Sequence, residues 1–300
     1  LCDSEDVLSR EGLHPLAAGK RLDGSHLCQK SQDSWTGYGA YPLAFLGSEA
    51  MDTTKRSQRL RLFDAVRGFS VISMVLFHLS YDLYFLWGLQ LHYFEPPFRD
   101  IWRASISWSF LFIAGLMCNF SHNNLRRALK YGLVALLIYV VTTIAAVDTA
   151  ISYGIIFCMA ASTLIAWCLE RLQRSSRAHL LLGILLFSLF LLTLHLQEGF
   201  WGILGIEVRI PAALFSTPWL SWLGFPGPHF ASGDYYPILP YTLLFLGAAH
   251  IGAFIRGHGG FPQWCKKCGC RPFEFIGRHA LAVYIFHQPL LLLCCQLLIA

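Results

Sequence analysis

Seven runs of apolar residues, each about 17–22 long, fill most of the chain from residue 69 onward, the length a helix needs to cross a bilayer. They fall at roughly 69–87, 104–120, 128–147, 150–168, 179–196, 237–255 and 279–299. Inside hydrocarbon every backbone N–H and C=O must be satisfied by the chain itself, so runs of this kind are helices in a bundle. Hydrophobic residues make up 55% of the chain and charged residues only 14%, where a soluble domain carries about 25% charged. Mean hydropathy is +0.49. The expected fold is all-α: a polytopic membrane protein with about seven transmembrane helices, its partner the lipid bilayer. The last run reaches Ala300 with no polar flank, so truncation of the C-terminus is expected.

Basic residues set the orientation. Lys55, Arg56, Arg59, Arg61 and Arg67 precede or open the first run, and Arg126, Arg127 and Lys130 fall between the second and third. Arg171, Arg174 and Arg177 separate the fourth from the fifth, and Arg256, Lys266, Lys267, Arg271 and Arg278 the sixth from the seventh. The other side carries only Arg99, Arg103 and Arg209, sixteen against three. This bias puts the N-terminus of the helical part in the cytoplasm. The net charge of +5 is explained by these anchors, and no nucleic-acid partner is implied.

Residues 1–50 differ in character. They are polar, begin with Leu, and lack the basic-then-apolar pattern of a signal peptide. At Met51 the text becomes M-D-T-T-K-R-S-Q-R-L-R-L-F-D, a basic lead into a membrane helix. Residues 1–50 are expected to be an extension, disordered or upstream of a true start at Met51, and 51–300 the membrane domain. The external stretch 197–236 is long and rich in Trp, Phe, Gly and Pro; it is expected to lie along the outer interface and frame a site entrance. Cys265-x-x-Cys268-x-Cys270 with His258 nearby lacks the four-ligand spacing of a zinc site and reads as an ordinary loop. No metal is expected.

Chemistry is signalled by ionisable residues inside the apolar runs, where they are costly and mark functional sites. His78 and Asp82 sit four apart in V-I-S-M-V-L-F-H-L-S-Y-D, one turn along a helix face. A carboxylate beside an imidazole orients it and suits it to general-base work. The last run holds His287 and Gln288 before Pro289, which breaks a helix hydrogen bond that polar neighbours then satisfy. Arg67 and Arg278 stand at the cytoplasmic mouths of the first and last runs; arginine forks suit phosphate, and both equally suit topology anchors. No lysine occurs in the last run, which excludes a retinal Schiff base. Walker, dinucleotide and H-E-x-x-H motifs are absent.

Four blocks carry a resemblance. They are L-F-D-A-V-R-G-F-S-V-I-S-M-V-L-F-H-L-S-Y-D from Leu62, F-L-F-I-A-G-L from Phe110, W-L-G-F-P-G-P-H-F-A-S-G-D-Y-Y-P-I-L-P from Trp222, and G-R-H-A-L-A-V-Y-I-F-H-Q-P from Gly277. Together, over about residues 58–300, the chain resembles the heparan-α-glucosaminide N-acetyltransferase catalytic-domain family, which includes bacterial membrane proteins described as a domain of unknown function. It also resembles the wider transmembrane acyltransferases, in which an arginine near the start of the first helix precedes a histidine late in it, as Arg67 precedes His78.

The resemblance implies acetyl transfer in a bacterial inner membrane, from cytosolic acetyl-CoA to a sugar amine or hydroxyl outside. It sets His92, in the first external loop, against His78 for the catalytic role; His78, oriented by Asp82, is favoured. Arg67 and Arg278 would then hold the CoA phosphates, Asp234 the acceptor sugar, and His287 and Gln288 the developing oxyanion. A homo-oligomer is compatible with this reading. The alternative is a permease or carrier for a polar or lipid-linked sugar in which His78 and Asp82 relay protons; a third has His78 and His287 as haem ligands.

Overall fold

A computed structural model describes residues 60–170, 175–203 and 205–299. The expectations for residues 1–50 and Met51, and the anchors Lys55, Arg56, Arg59, Arg171 and Arg174, lie outside the described residues. The helices are α1 (Arg61–Tyr81), α2 (Phe98–Leu116), α3 (Asn124–Ala145), α4 (Ile155–Leu169), α5 (Ser176–Leu192), α6 (Ile238–Gly257), short α7 (Gln263–Lys267), α8 (Arg271–Arg278) and α9 (Ala280–Ile299). Among the described residues six spans are long and apolar enough to cross a membrane: Arg61–Leu86, Phe98–Phe120, Asn124–Ala145, Ser176–Glu198, Ile238–Gly257 and Ala280–Leu298. The protein is a polytopic, all-α integral membrane protein.

The fourth apolar run departs from expectation. Only Ile155–Leu169, 15 residues, is helical there, about 22 Å of helix against a hydrocarbon core of about 30 Å. The residues before it are held in another conformation by the distant loop 232–236. The Ser152 N–H donates to Ser232 Oγ at 3.0 Å, Ser232 Oγ donates back to the Ser152 carbonyl at 2.6 Å, and the Tyr236 N–H donates to the Tyr153 carbonyl at 2.9 Å. Hydropathy alone does not register these cross-chain bonds. The two long loops also gain structure. An antiparallel hairpin, β1 (Phe200–Ile203) and β2 (Ile206–Arg209), stands in the 197–236 stretch, and α7 and α8 form in the segment before the last helix.

Local chemistry accounts for several helix ends. The Asn123 side chain accepts from the Arg126 N–H at 2.8 Å and starts α3, and Ser175 accepts from Ala178 to start α5, both favoured N-cap residues. Helix α6 is the centre of the larger core, which buries Leu111, Phe190 and Phe245 completely; a Ser162–Thr242 hydroxyl pair at 2.8 Å joins α4 to it. Helix α1 is clamped to α8 by two glycines. A Cβ on Gly68 would overlap the Phe273 carbonyl, and one on Gly277 the Asp64 carbonyl, so only hydrogen fits between these backbones. Outward leucines such as Leu133, Leu136 and Leu297 form the apolar surface that lipid tails solvate.

Candidate functional site

The polar residues of α1 and α9 meet in one buried place. Asp82 opens a π-helical turn, Asp82–Leu86, that continues α1, a departure from regular helix often found at functional sites. Its side chain is completely buried. Gln288 Nε2 donates to both carboxylate oxygens, at 2.9 and 3.1 Å. One turn back, the His78 ring lies 4.8 Å from the His287 ring, centroid to centroid, with the planes inclined by 60°. The two pairs thus run across the helices, His78 with His287 and Asp82 with Gln288. The imidazole's neighbour is a second imidazole, and the carboxylate's donor is an amide.

Hydrogen bonding fixes which groups accept. His287 Nδ1 lies 2.7 Å from the Tyr284 carbonyl; a carbonyl only accepts, so Nδ1 carries the proton. In the neutral ring Nε2 then holds a free lone pair. That atom and Gln288 Oε1 are buried without a hydrogen-bond partner among the described residues, and buried polar atoms are seldom left so. With its Nδ1 proton committed, neutral His287 accepts hydrogen bonds at Nε2 and has no proton there to offer an oxyanion. Gln288 likewise has its amide turned to Asp82.

His92 lies apart from this pair, exposed on a one-turn helix, His92–Phe94. The turn is nevertheless fixed against α1. Phe94 is fully buried with its ring 5.2 Å from that of Phe77, and the Tyr93 and Ser80 hydroxyls lie 3.2 Å apart. At the other end of α1, Arg67 bonds Asp64 at 3.1 Å. Arg278 is exposed, its Nε donating to the Glu274 carbonyl at 3.1 Å. The glycine contact between α1 and α8 puts the backbones of Arg67 and Arg278, neighbours of Gly68 and Gly277, at the same end of α1, with Arg67 half-buried and Arg278 exposed.

Asp234 supports the fold. Its Oδ2 accepts from the Ile155 N–H at 3.0 Å, so a carboxylate from a distant loop caps the N-terminus of α4 where negative charge is favoured. Burial pushes its carboxyl above the usual range, opposed by the Ile155 N–H and by Arg103. The hydroxyl of Tyr284 lies beside it. Tyr284 thus touches Asp234 with its side chain and His287 with its carbonyl, a role the sequence analysis did not assign, although its spacing three residues before His287 was visible. Two cavities flank this region. One of about 410 Å³ is lined by Gly132, Tyr139, Ser152, Phe157 and Tyr284; the other, about 440 Å³, by Gln197, Glu198, Phe230, Ser232 and Tyr235. The Ser152–Ser232 hydrogen bond is their shared wall.

Among the described residues no three His, Cys, Asp or Glu side chains are grouped to hold a metal ion. Cys265 is buried while Cys268 and Cys270 are exposed.

Helices of membrane-crossing length around a buried carboxylate and a histidine pair define an integral membrane protein with a polar site inside its bundle, the class that holds transmembrane group-transfer enzymes and carriers. Comparison with known families places the chain in one of them. Residues 59–289 match the model of heparan-alpha-glucosaminide N-acetyltransferase, catalytic, and the chain belongs to that family of transmembrane acetyltransferases. The match includes every site residue named above. No curated protein and no solved structure matches the chain.

Proposed function

We propose that this protein transfers an acetyl group from acetyl-CoA on the cytoplasmic side to a sugar amine or hydroxyl on the other, across a bacterial inner membrane. Family membership over residues 59–289 is the observation that carries this reading, and the histidine pair inside the bundle supports it. The N-terminus of α1 is cytoplasmic, in keeping with the basic residues at that end. Arg67 and Arg278 bind the donor's phosphates at the cytoplasmic end of α1 and α8.

In the reaction the acceptor nitrogen or oxygen attacks the thioester carbonyl as His78 takes its proton. The new C–N or C–O bond forms, the C–S bond breaks, and CoA leaves as a thiolate that recovers the proton from the imidazole. His287 beside it accepts a hydrogen bond from protonated His78 at its free Nε2 and so takes over the orienting role expected of Asp82. Asp82 and Gln288 hold α1 and α9 in register. The acceptor approaches through the outer cavity, where Phe230 and Tyr235 offer ring faces and Gln197, Glu198 and Ser232 hydrogen-bonding groups. A second reading assigns the base to His92, favoured by the docking of its turn against Phe77 and Ser80.

Purified chain with labelled acetyl-CoA and glucosamine tests both. General-base removal costs about 10²–10⁴ in rate, so His78→Ala should lose that factor and His92→Ala little. The reverse pattern moves the base to His92. No transfer by the unaltered chain overturns the proposal.

A further inference from the structure

Helix α3 crosses the membrane with little of itself covered. Leu133, Leu136, Leu137 and Tyr139 are exposed along its middle third, at the depth where lipid chains are the solvent. Part of this face is hollow. The cavity of about 410 Å³ follows α3 from Gly132 to Tyr139 and is lined on its other sides by Ile156, Phe157 and Tyr284. Its volume lies in the range of small-molecule sites. A Cβ on Gly132 would have no neighbour within 4 Å among the described residues, so the hollow reaches the helix backbone. Leu136 and Tyr139 belong both to this cavity and to the lipid-facing surface, which makes the two continuous.

The cavity of about 440 Å³ is lined differently, with Gln197, Glu198 and Ser232 beside Phe230 and Tyr235, and its Glu198 and Ala231 are exposed. The partition between the cavities is a layer of paired residues. Ser152 lines the first and Ser232 the second, and they are hydrogen-bonded. Tyr153 lines the first, and its ring stacks on that of Phe230 from the second, centroids 6.0 Å apart and planes inclined by 22°. Tyr153 has a φ of 54°, which bulky side chains seldom adopt, and the Tyr236 N–H holds it there by donating to its carbonyl at 2.9 Å. Strained backbone of this kind recurs at ligand clamps. An apolar hollow continuous with lipid, set against a polar one at the outer end, suits a ligand with a hydrocarbon tail and a polar head. A free sugar would fill only the second, and a phospholipid chain only the first.

We propose that the acceptor is a sugar carried on a lipid. Its hydrocarbon chain lies in the cavity beside α3 and its sugar in the outer cavity, the link between them passing over the Tyr153–Phe230 stack. That this ligand accepts the acetyl group rests on the acetyl-transfer reading; the site for a lipid-borne sugar does not.

G132L tests it, because leucine enters open space and is a better helix former than glycine. The full chain in phosphatidylcholine nanodiscs is given hexadecyl glucosaminide with a photoreactive diazirine in its chain, and the labelled peptides are mapped by mass spectrometry. The expected result is labelling of residues 132–139 and 153–157 that unlabelled hexadecyl glucosaminide competes away and hexadecanol does not. Each buried methylene is worth about fourfold in affinity, so a leucine displacing two or more should weaken labelling about tenfold or more. With acetyl-CoA present, the KM for hexadecyl glucosaminide should lie below that for glucosamine; G132L should raise the first by a similar factor and leave the second unchanged. Competed labelling with no acetyl transfer to either sugar upholds the site and overturns the acetyl-transfer reading. Equal competition by hexadecanol, no labelling of these stretches, G132L labelled like the unaltered chain, or G132L shifting both KM values alike overturns the proposal.

Discussion

Replacing Gln288 by leucine probes the link between the first and last helices. The amide makes two contacts, 2.9 and 3.1 Å, to a carboxylate that is fully buried. A hydrogen bond to a charged group contributes about 1.5–3 kcal/mol in soluble proteins, whereas interhelical bonds in membranes average about 0.6 and reach about 1.7 kcal/mol. Complete burial of Asp82 puts this pair at the upper end of the membrane range, so the expected coupling is about 1–2 kcal/mol. Asp82→Leu and Gln288→Leu should each cost about 1–3 kcal/mol, because each leaves one buried polar partner. The double variant removes both groups and should cost less than the sum. Unfolding in mixed detergent micelles gives the four free energies of the cycle. A parallel cycle of His78→Ala with Asp82→Leu should couple by less than about 0.5 kcal/mol. Strictly additive costs for the Asp82–Gln288 cycle, or stronger coupling of Asp82 to His78, would refute the crossed pairing.

Other consequences follow from the same contacts. Gly68→Ala and Gly277→Ala gain up to about 1 kcal/mol of helix propensity but force a Cβ onto a backbone carbonyl, an overpacking cost of about 1–3 kcal/mol; both should lower the melting temperature and raise the KM for acetyl-CoA. Asp234→Ala removes the cap on α4 and should cost about 1 kcal/mol in thermal unfolding, whereas Asp234→Asn keeps an acceptor oxygen and should cost less. Arg61 holds the Glu274 carboxyl below its ordinary value of 4.5. The Arg61–Glu274 bridge therefore adds stability above that pH and loses it as the pH falls through the lowered value. Glu274→Gln should flatten that acid limb of a stability–pH profile, and an unchanged limb would show that the bridge contributes nothing.

Much of the bundle was legible because bilayer thickness imposes a length on each apolar run, and six of seven runs obeyed it. The exception, α4, is shortened by hydrogen bonds from residues 232–236, about 80 positions away, which no local pattern encodes. His78, Asp82, His287 and Gln288 stood out because polar groups are rare at that depth. Their pairing was not legible. Helical spacing suggested His78 with Asp82, but a helix face four residues apart is shared with whatever packs on it, and α9 inserted a partner for each.

The central claim is most directly tested by vectorial transfer in proteoliposomes. Labelled acetyl-CoA is supplied to the face bearing Arg67 and Arg278, and glucosamine is trapped on the other. The account predicts labelled N-acetylglucosamine in the lumen, reduced at least about 100-fold by His78→Ala. Glucosamine that crosses unmodified without acetyl-CoA being consumed, or an equal rate of acetylation with and without His78, would contradict it.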